Sequence, residues 1–226
     1  MANLTQLGML EKLDGFLLVD KPEGIQFSTV VKTVKRKFNL PKVGHGGSLD
    51  AMASGLMVLL LNDANKFVDR VMGADRAYTG SLRLGETTDT GDACGRPAPP
   101  PAQTASPADL RGDVFQTEPR FCAVRREGSA AYEVVDTGEH QQFLAHVYRF
   151  ELGERNEKGE TPFELVASKG VIVRALALDL GATLVSLRRV RVGRFEVKDA
   201  IPFARLLEME MKDFPSCVMP VAQALR

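Results

Sequence analysis

The chain has little that would tie it to a metal, a membrane or an oxidising compartment. It has three cysteines, Cys94, Cys122 and Cys217. An odd number without CxxC spacing sets aside a disulfide framework and a zinc site, and predicts free buried thiols in a reducing cytoplasm. His45, His140 and His146 are scattered, which leaves a metal site to convergence in space alone. No Gly-Lys-Ser or Gly-Lys-Thr follows a glycine-rich loop, so a nucleotide-phosphate loop is a poor fit. The longest apolar run, Leu56 to Leu61, is far too short to cross a bilayer. At the start, MANLTQLGMLEKLDG carries acidic residues and no apolar core segment, unlike a secretory signal. Nor does one charge dominate: Lys+Arg and Asp+Glu both number 29, whereas nucleic-acid binders of this size are more often basic.

What is present fits a soluble globular protein. Its 226 residues, 44% hydrophobic and 26% charged, suffice for one large or two small domains with a proper core. Basic residues gather at Lys32, Lys35, Arg36, Lys37 and Lys42, and again at Arg188, Arg189, Arg191 and Arg194, giving two candidate patches for phosphates. The most unusual stretch is Lys42 to Gly55, KVGHGGSLDAMASG. Gly44, Gly46 and Gly47 flank His45, and Asp50 follows four residues after Gly46. Glycine at this density permits positive φ or close approach of another molecule, and a carboxylate beside it is placed to react. Taken alone, the same pattern also describes a structural turn.

Taken in order, GFLLVD from Gly15 to Asp20 predicts a buried strand, ended by the turn Lys21-Pro22-Glu23-Gly24. Val30, Val31, Val34 and Phe38 recur at helical spacing, with Ser28 or Thr29 as N-cap. Asn62 is placed to cap a helix through Phe67, Val68, Val71 and Met72. Arg76 to Leu84 alternates as a strand that carries Tyr78. Arg96 to Pro107 is Pro-rich, a mobile loop by composition, and Ser106-Pro107 reads as the start of a short helix through Leu110. Arg120 to Val135, with Tyr132 near its middle, reads as irregular strand and turn. Phe143 to Leu152 and Pro162 to Ala167 alternate about a hairpin at Asn156 to Gly159. A helix from Val171 through Leu176, Leu180 and Leu184 carries Arg174 in its first turn. Ser186 to Lys198 reads as strand broken by Gly193, and Asp199 as the cap of a helix holding Phe203, Leu206 and Leu207. Without regular βαβ alternation, the class is α+β with a mixed sheet.

Together these segments resemble the TruB family of tRNA pseudouridine synthases, over nearly the whole span from Gly15 to Ala200. GFLLVDKPEG is similar to that family's leading strand and turn. KVGHGGSLDAMASG is similar to its catalytic loop, and DRAYTGSLRLGETTDTGDACG to its tyrosine strand and following loop. GVIVRALALDLG is similar to its arginine motif, and LRRVRVGRFEVKDA to the segment closing its catalytic domain. The resemblance implies a mixed, mostly antiparallel central sheet flanked by helices, with an RNA-binding cleft. It also implies isomerisation of a uridine in the tRNA T loop to pseudouridine, without cofactor or metal.

Carried over residue by residue, the resemblance makes Asp50 the catalytic carboxylate, Tyr78 a partner of the uracil, and Arg174 the cation that pairs with the carboxylate. It puts His45 in the space near the vacated base, Lys21 in a turn near the active site where it organises the loops, an exposed turn lysine being the rival reading, and Gly44 with them among the RNA-binding residues. The two basic clusters, with Lys32, Lys35, Arg36, Arg188 and Arg189, would then engage RNA phosphates. The chain departs from the family pattern at three points. Gly46 stands for the usual threonine and Ala51 for proline, predicting a looser loop; Ser48 keeps a hydroxyl where threonine is usual. Ile172 stands where tyrosine is frequent. About thirty residues follow Gly193, too few for the family's usual C-terminal PUA domain. The expectation is therefore a single catalytic domain over residues 1–226, a cytoplasmic monomer that binds the T arm of tRNA more weakly or selectively than is usual. The competing readings are an inactive RNA-binding module or tRNA chaperone, and a synthase for another RNA.

Overall fold

The computed structural model describes residues 13–101, 104–117, 123–124, 133–134 and 142–226. In chain order the main elements are β1 (Gly15–Lys21), α1 (Phe27–Lys37), β2 (Val43–His45), β3 (Ser54–Leu61), α2 (Val68–Met72), β4 (Arg76–Leu84), β5 (Gly112–Thr117), β6 (Gln142–Leu152), β7 (Thr161–Ala167), α3 (Val173–Asp179), β8 (Ala182–Val192) and α4 (Phe203–Glu208). They form two compact units, one from the chain up to Ala74 with Arg188–Arg226, the other from Asp75–Leu187. Strand β8 passes from the second unit into the first between Leu187 and Arg188.

In the first unit β3 is central. Its residues after Ser54 are all buried, which is why it reads as a continuous apolar run rather than an alternating one. β1 pairs antiparallel along it, from Gly15 opposite Leu61 to Lys21 opposite Gly55. The other edge of β3 is shared. β2 takes Leu59–Leu61 in antiparallel register, and Arg188–Arg189 of β8 run parallel to Ser54–Gly55. The loop between β2 and β3, which carries Asp50, therefore begins and ends on the central strand. Phe16, Leu18, Leu56, Val58 and Leu60 pack with Val71, Val192 and Phe195 as a core.

The second unit is antiparallel in β4, β7, β6 and β5, with β8 next to β4. β4 and β7 run in register from Arg76 opposite Ala167 to Leu82 opposite Thr161. β7 buries alternate residues, as a half-covered strand should. The strands β3 and β8 pair in parallel, and so do β1 and the short segment Ile201–Pro202. The sheet is thus mixed and mostly antiparallel, as expected.

Several local expectations are corrected. α1 opens on Gln26 rather than Ser28 or Thr29, and α4 on Pro202 rather than Asp199; neither cap residue makes a side-chain hydrogen bond to its helix. Asn62, at φ +48°, begins a 3-10 turn to Phe67 that precedes α2. The Pro-rich segment pairs Pro97–Ala98 with Thr87–Thr88. Ser106 to Leu110 is a turn, with Ser106 and Asp109 exchanging hydrogen bonds. α3 stops at Asp179 because Gly181 takes φ +64°, and Leu184 lies on β8. Cys94 is exposed and Cys217 partly so, against the expectation of buried thiols. Tyr132, His140 and Cys122 lie outside the described residues. Among the described residues no helix is long and apolar enough to cross a membrane.

Candidate active site

Asp50 sits in the loop between β2 and β3, and that loop is fastened by two buried cations. Arg189 is 2% exposed. Its Nε donates to Leu56 O at 2.8 Å, Nη1 to Ser48 O at 2.8 Å and Nη2 to Gly47 O at 3.3 Å. Gly55, at φ +107°, lets the two strands come this close, because a Cβ there would run into the main chain of Arg189. On the other side of Asp50, the fully buried Lys21 donates to Pro22 O and Ile25 O, both at 2.8 Å, and to Ala51 O at 3.3 Å. Gly24 N–H also donates to Ala51 O. Carbonyls before and after Asp50 are thus held by cations, while its own residue stays partly exposed.

This arrangement alters two expectations. Lys21 serves the loop's carbonyls, as a residue that organises these loops would, and its burial sets aside an exposed turn lysine; Arg189 serves them too, so it is not an exposed RNA contact. The looseness predicted from Gly46 and Ala51 is offset by these bonds, because a buried charge satisfied by carbonyls makes a stiff anchor. Burial pushes the Lys21 ammonium down to about 8, against the opposing pull of Asp50 and with a smaller push from Arg189.

His45 lies edge-on to Phe27 with ring centroids 5.0 Å apart, and its Nδ1 accepts from Gly47 N–H at 3.4 Å. That bond puts the proton of a neutral ring on Nε2. Gly44 abuts the Asn65 side chain, which a Cβ would strike. Lys32, Lys35 and Arg36 are exposed along α1, as a phosphate-binding stripe requires. The second basic cluster disperses. Arg188 forms a two-pronged pair with Asp20 at 3.0 and 2.7 Å, Arg191 bonds Gly193 O, and Arg194 bonds Gln223 O.

Tyr78 and Arg174 belong to the second unit. Tyr78 is buried on β4, opposite Leu165 of β7. Arg174, the second residue of α3, is 6% exposed, so it is no ordinary surface arginine of a helix's first turn. Its Nη1 donates to Thr90 O at 2.8 Å, and its Nε lies 3.8 Å from Asp92 Oδ2. Asp92 Oδ1 in turn accepts from Thr90 Oγ1 and Cys94 N–H. A desolvated guanidinium needs such partners, since a buried charge left alone is costly.

Sequence reasoning missed Asp20, Asp92 and Thr90. The available signal was their place in matched motifs: Asp20 directly precedes Lys21-Pro22, and Thr90 and Asp92 lie within TDTGDACG.

Among known proteins, the model of the TruB family pseudouridylate synthase (N terminal domain) matches residues 35–173, a span that holds His45, Asp50 and Tyr78 and stops just before Arg174. The chain is 36% identical to tRNA pseudouridine synthase B of Gluconacetobacter diazotrophicus, over 94% of this chain and 76% of that protein. It is 34% identical to the protein of the same name from Opitutus terrae, over 95% of each. Among solved structures, one described as a Cbf5-Nop10-Gar1 complex superposes with a TM-score of 0.65 over 96% of this chain, at 24% identity. The chain spans 63% of that partner's length, and the likeness speaks to fold alone.

Proposed function

The chain belongs to the TruB family of pseudouridine synthases, and on that footing we propose that it isomerises uridine to pseudouridine in the T loop of tRNA. It does so as a monomer in the cytoplasm. The observation that carries this reading is the fastening of the Asp50 loop: two buried cations hold the carbonyls of Ser48 and Ala51, leaving the carboxylate between them partly exposed.

The reaction breaks the N1–C1′ bond, turns the uracil and forms a C5–C1′ bond; the proton leaves C5 and N1 ends protonated. The target base must first leave its stack, at a cost of a few kcal/mol. Asp50 supplies negative charge where N1–C1′ breaks, as carboxylates do at glycosidic centres. The Arg174 guanidinium is the cation that pairs with this carboxylate once RNA covers the site. The Tyr78 ring stacks on the uracil, and its hydroxyl takes part in moving the C5 proton. The His45 ring fills the space the base vacates, where stacking is worth about 1–3 kcal/mol. Lys32, Lys35 and Arg36 bind phosphates of the T arm.

The test is tritium release from tRNA transcripts carrying C5-labelled uridine. Wild type should release label, and Asp50→Asn should lose on the order of a thousandfold or more in rate while still binding RNA. Equal rates would overturn the assignment of Asp50, and a wild type that binds without release would favour a binding module. Mapping modified sites in RNA from a deletion strain checks the T loop against other RNAs.

A further inference from the structure

Gln116 lies on β5 with no exposed surface, and both ends of its side-chain amide are bound to one residue. Its Nε2 donates to Ile172 O and its Oε1 accepts from Ile172 N–H, each at 3.0 Å. A side chain that satisfies both main-chain groups of one residue imitates a rung of a β-ladder. Ile172 is extended, at φ −105° and ψ 105°, and is the N-cap of α3. Its carbonyl also accepts from Ala175 N–H at 3.1 Å and Leu176 N–H at 3.3 Å, the bonds that open the helix. The residue that starts α3 is therefore the one Gln116 grips, and Arg174 follows two positions later.

α3 has seven residues and no side-chain hydrogen bond at its cap. So short a helix does not hold itself, and the direction of its first turn is set by what its ends are bonded to. Val114, two residues earlier on the same buried face of β5, is apolar, so packing alone does not call for an amide here. A buried amide costs stability unless both ends are satisfied, and both are spent on Ile172. We propose that Gln116 is a positioning residue for Arg174. It fixes the start of α3, and with it the direction in which the guanidinium points. The inference rests on Arg174 being the active-site cation of the function proposed above.

The test uses Gln116→Met in the full chain, which keeps length and removes both bonds. Turnover at saturating tRNA should fall about tenfold with KM within about twofold, as for a loss of alignment rather than of binding. Hydrogen exchange at Ile172 and through the first turn of α3 should rise about tenfold. In an Arg174→Lys background the added loss from Gln116→Met should nearly vanish, as for two residues acting through one group. Val114→Ala, which trims the same face of β5, controls for lost packing and should keep turnover near wild type. The inference is overturned if exchange at Ile172 is unchanged. It is also overturned if Gln116→Met costs the same factor with and without Arg174, or if Val114→Ala costs as much. An inactive wild type would sink the functional reading instead, and the exchange measurement would still decide whether Gln116 sets the first turn.

Discussion

Gly46 shows how one residue can be misjudged from its type. Standing where the family usually has threonine, it suggests a loosened loop, yet it is buried against α2: a Cβ there would run into Val71 Cγ1 and close on Val58. Its N–H donates to Val58 O at 2.8 Å, tying the loop to β3. Gly46→Thr should therefore destabilise the protein by about 1–3 kcal/mol through overpacking. Val71→Ala should recover part of that in the double variant, although alone it leaves a small cavity. Urea midpoints with an unchanged slope check this; additive losses would show that Val71 is not what Gly46 makes room for. Asp50, Tyr78 and Arg174 could be singled out as candidates because each sits in a motif of several residues. The burial of Lys21 and Arg189 was not legible, because residue type does not say which carbonyls converge on a cation. For Arg189 a weak signal existed. In β8 it shares the two-residue period of buried Leu187, while Arg188 falls on the other face and meets Asp20.

Among the elements, the β2–β3 loop depends on Lys21, and that gives it a pH dependence. The folded-state value of about 8 lies below the ordinary 10.5. Below about 8 both states carry the charge, and burying it opposes folding. Between the two values the unfolded chain still holds a proton that the folded protein has released, so this group's contribution to stability rises with pH. The stability of wild type relative to Lys21→Met should therefore improve between about pH 8 and about pH 10.5, read from paired denaturation curves. A difference that stays constant would mean the ammonium titrates as it does in water. Elements with a plain period in the sequence were legible: β4, β6 and β7 read as strands from alternating residue types, although burial alternates regularly only in β7, whereas β3, apolar after Ser54, showed only as an apolar run. Helix ends were not legible. Ser28 and Asp199 have the chemistry of caps, but α1 and α4 open on Gln26 and Pro202 without a side-chain cap. Ile172 opens α3 through a glutamine 56 positions away, a separation no local pattern encodes.

For the whole molecule, equal numbers of basic and acidic residues leave RNA attraction to local charge. Of the two basic clusters, the one near Arg188 is largely spent inside its own unit on Asp20 and main-chain carbonyls. Lys32, Lys35 and Arg36 on α1 remain exposed. If these three contact phosphates, binding of tRNA should weaken as salt rises. Lys32→Gln, Lys35→Gln and Arg36→Gln should then each lower the slope of log affinity against log salt by about 0.7–0.9. Arg189→Gln should leave that slope unchanged and lower the denaturation midpoint, because its guanidinium holds carbonyls rather than RNA. Filter binding over about 50–200 mM salt separates the two behaviours. Slopes indifferent to all three α1 substitutions would move the electrostatic footprint elsewhere on the chain. With no net charge to supply long-range attraction, so few phosphate contacts predict a shallower salt dependence than a basic protein of this size would show.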